Sequence, residues 1–467
     1  MIPTALLVLS GLFFMPHCSA PPTVRQPPAP AEVNSPPALP PYSTEELRRR
    51  TFNYFWELAD SVNYQIPDRY PRHTFSSIAA TGFGLASYLV GVERGYVTRE
   101  EAARRVLLTL RTLNELPKGE AASGTAGYRG FFYHFLTYEH ATRFKDVELS
   151  TIDTGLLMAG ILTVMSYFDR EDDATETELR RLADRLYRAV EWDWAMNDRG
   201  RISMGWRPEK GFIPHDWHGY NEAMILLILA LGSPTHPVPA AAWQEWCSTY
   251  DWGTYGGQKH LNFEPLFGHQ YSHIFIDFRG IRDDYMRGKN SDYFENSRRA
   301  TLANRAWCME NPHGYEDYGP LTWGLTACDG PAREPERHTY HGRPFRSYSA
   351  RGPEVDGGFD DGTIAPTAAG GSIPFAPEIC LPTLEHLWNT YGDRLVGEYG
   401  FRDAFNPSYT FGPGNESGWF DTDYLGIDQG PILLQLENHE TGLIWEVMKR
   451  NPYVRAGLER AGFLGEG

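Results

Sequence analysis

The chain has 467 residues, 41% of them hydrophobic, with 43 Lys plus Arg against 60 Asp plus Glu and a net charge of −17. The apolar share supports a packed core and excludes wholesale disorder, and the acidic balance excludes a nucleic-acid binder, because affinity for a polyanion rests on neutralising phosphates. With 46 Gly, 34 Pro, 13 Trp, 26 Tyr and 25 Phe, the composition also excludes a coiled coil and describes a globular protein with long aromatic-rich loops.

Residues 1–20 (MIPTALLVLSGLFFMPHCSA) carry one apolar run, too short for a membrane span and suited to a signal peptide. Cys18 offers a second reading, a lipidated cysteine at the end of a lipoprotein signal. Both readings place the protein outside the cytoplasm, in the periplasm, secreted or at the cell surface. Residues 21–41 are proline-rich and predict an extended spacer.

From residue 42 to 467 no second linker interrupts the chain, which reads as one catalytic domain. Apolar periodicity predicts helices over 44–59, 76–91, 99–116, 151–168, 176–194, 221–231, 240–250, 291–311, 380–391, 430–450 and 452–461. Helices apolar almost all round alternate with amphipathic ones, and no run of alternating strands is evident. The fold expected is all-α, a closed inner ring of helices wrapped by an outer one: an (α/α)6 barrel acting as a monomer. Long loops at 197–218, 252–292 and 311–379 hold much of the Gly, Trp, Tyr and His, and loops of that length in a compact domain are usually functional. Cys247, Cys308, Cys328 and Cys380 are widely spaced without a CxxC pair, so zinc is not expected, while a disulfide or buried thiols both fit.

Three acids stand out at the starts of apolar helices. Asp153 lies in STIDTG, where Ser150 gives a spacing like a capping box. Glu222 opens an apolar helix after HDWHGYN, a segment that supplies Trp217, His218, Tyr220 and Asn221. Asp428 lies in YLGIDQGP just before Pro431, which suits a first helical turn, and Asp423 is close by. Each acid could simply complement a helix dipole. In a ring of inward-facing helices, however, these starts converge, and glycoside hydrolysis needs two carboxyl groups of opposite protonation flanking one bond. Aromatic faces beside them suit sugar rings. Further candidates for substrate contact are His269, Gln270 and Tyr271 in GHQYSHIF, Trp323 in a Gly- and Pro-rich loop, and Trp419. His269 and His273 are four apart but lack an HExxH context, so no metal is assigned. No cofactor fingerprint is present.

In order along the chain, STIDTG, HGYNEA, FGHQYSHIFIDFRG, GLTACDGP, DGTIAPTAAGGSIPF and YLGIDQGPI resemble the bacterial glycoamylase-like domain of glycoside hydrolase family 144. Members of that family include endo-β-1,2-glucanases, and similar domains occur in cyclic β-1,2-glucan synthases. The resemblance implies an (α/α)6 barrel outside the cytoplasm. It also implies inverting hydrolysis of β-1,2-glucan, either endo-acting or exo-acting with release of sophorose. Carried over by motif, Glu222 is the general acid, and the base is drawn from Asp428, Asp423 and Asp153. Two readings of another class stand beside it: a polysaccharide lyase using Tyr271 or His269 as base, and a surface lipoprotein that binds glycan without cleaving it.

Overall fold

The computed structural model describes residues 39–333, 337–355 and 357–465. The chain divides after Pro40, and the larger unit, 41–467, is the one described below. The signal segment, Cys18 and residues 21–38 of the spacer lie outside the described residues.

Fifteen α-helices run through the described residues. The first five are α1 (Thr44–Glu57), α2 (Ile78–Glu93), α3 (Arg99–Glu115), α4 (Thr151–Tyr167) and α5 (Ala174–Arg188). Next come α6 (Ala223–Gly232), α7 (Ala241–Ser248), α8 (Tyr271–Phe275), α9 (Asp284–Lys289) and α10 (Tyr293–Glu310). The last five are α11 (Pro366–Gly370), α12 (Pro377–Leu395), α13 (Gly426–Glu440), α14 (Leu443–Lys449) and α15 (Pro452–Arg460). The fold is all-α in character. The strands, which periodicity does not foresee, are ribbons of two to four residues.

Packing runs from α2 to α4, α4 to α6, α6 to α8, α8 to α13 and from α13 back to α2. Outside this circuit α1 covers α2 and α13, α5 covers α4, α3 covers α2 and α5, and α15 covers α6. The division explains the sequence. Every residue of α6 is buried, and α2 is buried from Ile78 through Gly91. Helices packed on all sides have no use for a polar stripe, whereas α5 keeps one because one face meets water. Glycine sets the closest approach: a Cβ at Gly160 would lie 2.1 Å from the Gly82 carbonyl oxygen. The backbones of α2 and α4 therefore touch.

Short ribbons align the helix starts. Phe75–Ser77 runs directly into α2 and pairs with Phe135–Thr137. Leu149–Ser150 runs into α4 and pairs with Gly205–Arg207. Tyr424–Leu425 runs into α13 and pairs with Arg69–Tyr70, while the Gly426 amide donates to the Asp68 carbonyl at 2.8 Å. Each ribbon fixes the first turn of a helix, and so the position of its acid.

Two expectations need correction. The helix foreseen over 430–450 is two helices, α13 and α14, separated at Gly442, whose φ of +71° only glycine adopts without strain. And α13 begins at Gly426, so Asp428 lies inside the first turn and Pro431 inside the helix. Cys247, Cys308, Cys328 and Cys380 are buried free thiols.

Candidate active site

Glu222 is the N-cap of α6, yet its side chain makes no capping bond. The Ser272 hydroxyl does that work, accepting from the Ile225 amide and donating to the Glu222 carbonyl, both at 3.0 Å. The carboxyl is thereby released from helix duty. It is buried and its Oε2 has no hydrogen-bond partner. Burial, reinforced by the charge of Asp153, pushes it up to about 7. A carboxyl in that state holds its proton at near-neutral pH.

Asp153 stands in the first turn of α4. Its amide donates to the Ser150 hydroxyl at 3.2 Å, and that hydroxyl bonds back to the Asp153 carboxylate. The capping reading is therefore part of the answer, but the second carboxylate oxygen lies 3.5 Å from His134 Nε2.

A second group of acids gathers around Asp428. Asp428 is buried, with Oδ2 unpartnered. Asp403 is its electrostatic neighbour, and burial pushes Asp428 up to about 7. Burial, then repulsion from Asp428 and Asp329, pushes Asp403 well above the usual carboxylate range. Burial, followed by Asp403 and Asp329, likewise raises Asp421, whose Oδ2 is unpartnered. Arg69 and Arg72 offset part of this charge. Arg69 Nη1 donates to Asp329 at 2.7 Å, and Arg72 Nε donates to Asp423 at 2.5 Å. Asp423 is thus a fully buried partner of an arginine rather than a free carboxylate. Asp329, Asp403 and Asp421 bring one oxygen each within 4.8 Å of one another and are the group among the described residues with the donors for a cation. The two guanidinium groups already serve Asp329.

Tyr271 ties the two sets together, since Asp428, Glu222 and Asp153 all act on its hydroxyl. Its position follows from Pro431. A proline at that place has no N–H for the Ile427 carbonyl, and the Tyr271 hydroxyl donates there instead, at 3.3 Å. Beside the acids a cavity of about 220 Å³ is lined by Arg72, Asp329, Tyr348, Trp419, Phe420 and Asp421 among others. Trp419 is half-buried, and Tyr348 is exposed.

The remaining sequence candidates divide. Trp217 is buried, and its indole N–H donates to the Thr151 hydroxyl at 2.9 Å, bracing the start of α4. His218 is exposed and bonds to Asp216. Asn221 accepts from the Ala223 amide at 3.0 Å and shapes the entry to α6. Four candidates are wall rather than cleft. Tyr220 is sealed among Trp246, Tyr250 and Tyr293. His269 is fully buried, contacting the Phe263 carbonyl and Asn296. Gln270 donates to the Ala368 carbonyl and the Ser372 hydroxyl. Trp323 is fully buried and donates to the Thr383 hydroxyl at 2.7 Å. In each case the side chain packs its segment onto the core instead of offering a face to a sugar.

Sequence reasoning missed Asp403, Asp329, Asp421, Arg69, Arg72, Tyr348 and His134. Asp403 sits in FRDAFN and Asp329 in ACDGP, outside any helix start, so the pattern that exposed Glu222 is silent there. The one available signal was the density of aspartate from 421 to 428.

Residues 214–452 match the family model described as "Putative glucoamylase". A relative from Parabacteroides distasonis, an exo β-1,2-glucooligosaccharide sophorohydrolase acting at the non-reducing end, is 30% identical over 452 residues. That alignment covers 89% of this chain, and the chain spans 57% of the relative's length. A solved endo-β-1,2-glucanase from Chitinophaga pinensis, in complex with sophorotriose and glucose, is 31% identical. It superposes with a TM-score of 0.78 over 91% of this chain and 99% of its own. A solved protein from Bacteroides uniformis, described in the same words as the family, is 34% identical with a TM-score of 0.79 over 92% and 99% of the two chains. The chain belongs to this glycoamylase-type family, which joins it to the β-1,2-glucanases of glycoside hydrolase family 144.

Proposed function

We propose that the protein hydrolyses β-1,2-linked glucan with inversion of the anomeric centre, on an (α/α)6 barrel located outside the cytoplasm. The observation that carries this reading is the pairing of Glu222, a buried carboxyl protonated near neutral pH and free of any capping bond, with a second set of carboxyls across Tyr271. Glu222 donates a proton to the leaving glycosidic oxygen, directly or through a substrate hydroxyl. The pair Asp428 and Asp403 supplies the base, its ionised member drawing a proton from a water on the opposite face of the sugar. That geometry calls for carboxyls roughly 6.5–9.5 Å apart. Trp419 and Tyr348 offer ring faces to pyranose C–H groups. The relatives named above support the linkage, since both a sophorohydrolase and an endo-β-1,2-glucanase align along most of this chain.

A lyase lacks its base here. The Tyr271 hydroxyl is committed as a donor and burial pushes it well above its ordinary value, while burial holds His269 well below its own, inside the wall. Incubation of Glu222→Gln with linear β-1,2-glucan tests the proposal. Turnover should fall at least about a hundredfold with the fold retained, since removing a general acid costs roughly 10²–10⁴. Proton NMR of the first wild-type product should show the α anomer. Near-normal turnover in the variant would remove Glu222 from the acid role, and product lengths separate endo from exo action.

A further inference from the structure

The segment leading into α4 holds a histidine between two carboxylates. The His134 amide donates to the Glu148 carbonyl at 3.0 Å, and Tyr133 bridges Leu149, so His134 is pinned beside the strand that feeds the helix. Its ring stacks on Phe135, with centroids 3.9 Å apart. Nδ1 lies 3.0 Å from Glu148 Oε1, and Nε2 lies 3.5 Å from Asp153 Oδ1. A neutral imidazole donates from one nitrogen only; facing an acceptor with both requires the imidazolium. The charged groups around the ring are Glu148, Asp153 and Asp68, with Arg207 behind Glu148 at 3.6 Å and Arg69 beside Asp68 at 3.0 Å. Burial alone would lower this histidine, but Asp153 and the bond to Glu148 outweigh it and raise it to about 9. The same bond brings Glu148 down to about 2. Asp153 in turn is the charge that acts on Glu222.

We propose that His134 is a positioning residue for the general acid: clamped as an imidazolium by Glu148, it fixes, together with the Ser150 hydroxyl, the orientation of the Asp153 carboxylate, so that Glu222 keeps its proton until it is delivered to the substrate. This rests on the reading of Glu222 as the acid. Nothing about His134 marks it in the sequence, because its partners are a loop glutamate and a helix-start aspartate.

The test is the pH profile of kcat/KM on linear β-1,2-glucan. In His134→Gln the Asp153 carboxylate keeps only its bond to the Ser150 hydroxyl, its second oxygen is no longer held, its field at Glu222 weakens, and Glu222 gives up its proton earlier. The alkaline limb should move down by about half to one pH unit, a rate loss of roughly three- to tenfold on that limb, with KM little changed. Glu148→Gln should move the limb in the same direction by less, because Asp153 still holds the ring, and this variant serves if His134→Gln does not fold. Glu222→Gln is measured alongside. If it retains turnover, the acid reading itself fails. If it is inactive while neither other variant moves the limb downward, the role of His134 alone is overturned; a uniform drop in kcat at every pH also overturns it, as that is the mark of a merely structural residue.

Discussion

The carboxyl groups of the site are held at a cost that pH reveals. Glu222 has an ordinary value of 4.5 and sits at about 7 in the fold. Between those values the folded chain binds a proton that the unfolded chain has released, so its contribution is complete below about 4.5 and is lost as pH rises through 7. For this residue alone the loss is roughly 3 kcal/mol, and Asp403 and Asp421 are displaced in the same direction. The melting temperature should therefore fall from about pH 5 to about pH 8, and Glu222→Gln, which cannot ionise, should flatten that decline. A calorimetric series at several pH values reads both. Two tryptophans give a contrast at this scale. Trp323→Phe strips the Thr383 hydroxyl of its donor and shrinks a fully buried ring, so stability to urea should drop by about 1–3 kcal/mol with KM unchanged. Trp419→Ala should leave stability nearly intact and raise KM roughly tenfold, as it removes a stacking face at the cavity. The two indoles look alike in sequence, each in a Gly-rich loop, and only the packing tells them apart.

Helices placed the site, and most of them were legible. The long periodic α3 appears within a residue of where its apolar spacing put it, while α5, expected over 176–194, runs from Ala174 and stops at Arg188. The elements that periodicity missed, α8, α9 and α11, are five or six residues long, too short to show a period. The start of α13 was misjudged because Pro431 suits a first turn, and the ribbon pairing that starts the helix earlier is a long-range event. For the same reason Glu222 and Asp153 were readable as acids at helix starts, while Asp403 was not: its carboxyl meets Asp428 only through loop packing. The closest contact between elements yields a firm expectation. A methyl group at Gly160 would meet the backbone of Gly82, which cannot rotate away as a side chain can. Gly160→Ala should cost about 1–3 kcal/mol by overpacking. Because α4 carries Asp153, it should also lower kcat, whereas an alanine at the exposed Gly288 of α9, which meets nothing within 4 Å, should do neither. Urea melts and initial rates on the two variants make the comparison.

For the whole molecule, charge and substrate make different demands. A net charge of −17 would repel an anionic polysaccharide and is indifferent to a neutral glucan. The rate on linear β-1,2-glucan should consequently change less than about twofold between about 0.05 and about 0.5 M sodium chloride. A steep salt dependence, measured as kcat/KM, would point to a charged substrate instead. The circuit of packed helices has a further consequence, for synthesis rather than catalysis. It closes only when α13 meets α2, and α1 also needs α13 for cover. On a ribosome adding roughly 5–20 residues per second, α2 is exposed for some tens of seconds before its last neighbour exists. Throughout that interval the face of α2 that meets α13 stands uncovered, although α1, α3 and α4 already exist to cover the rest. A fragment limited to the family-matched residues 214–452, lacking α2 and α4, would leave the face of α6 that meets α4 and the face of α13 that meets α2 permanently without partners.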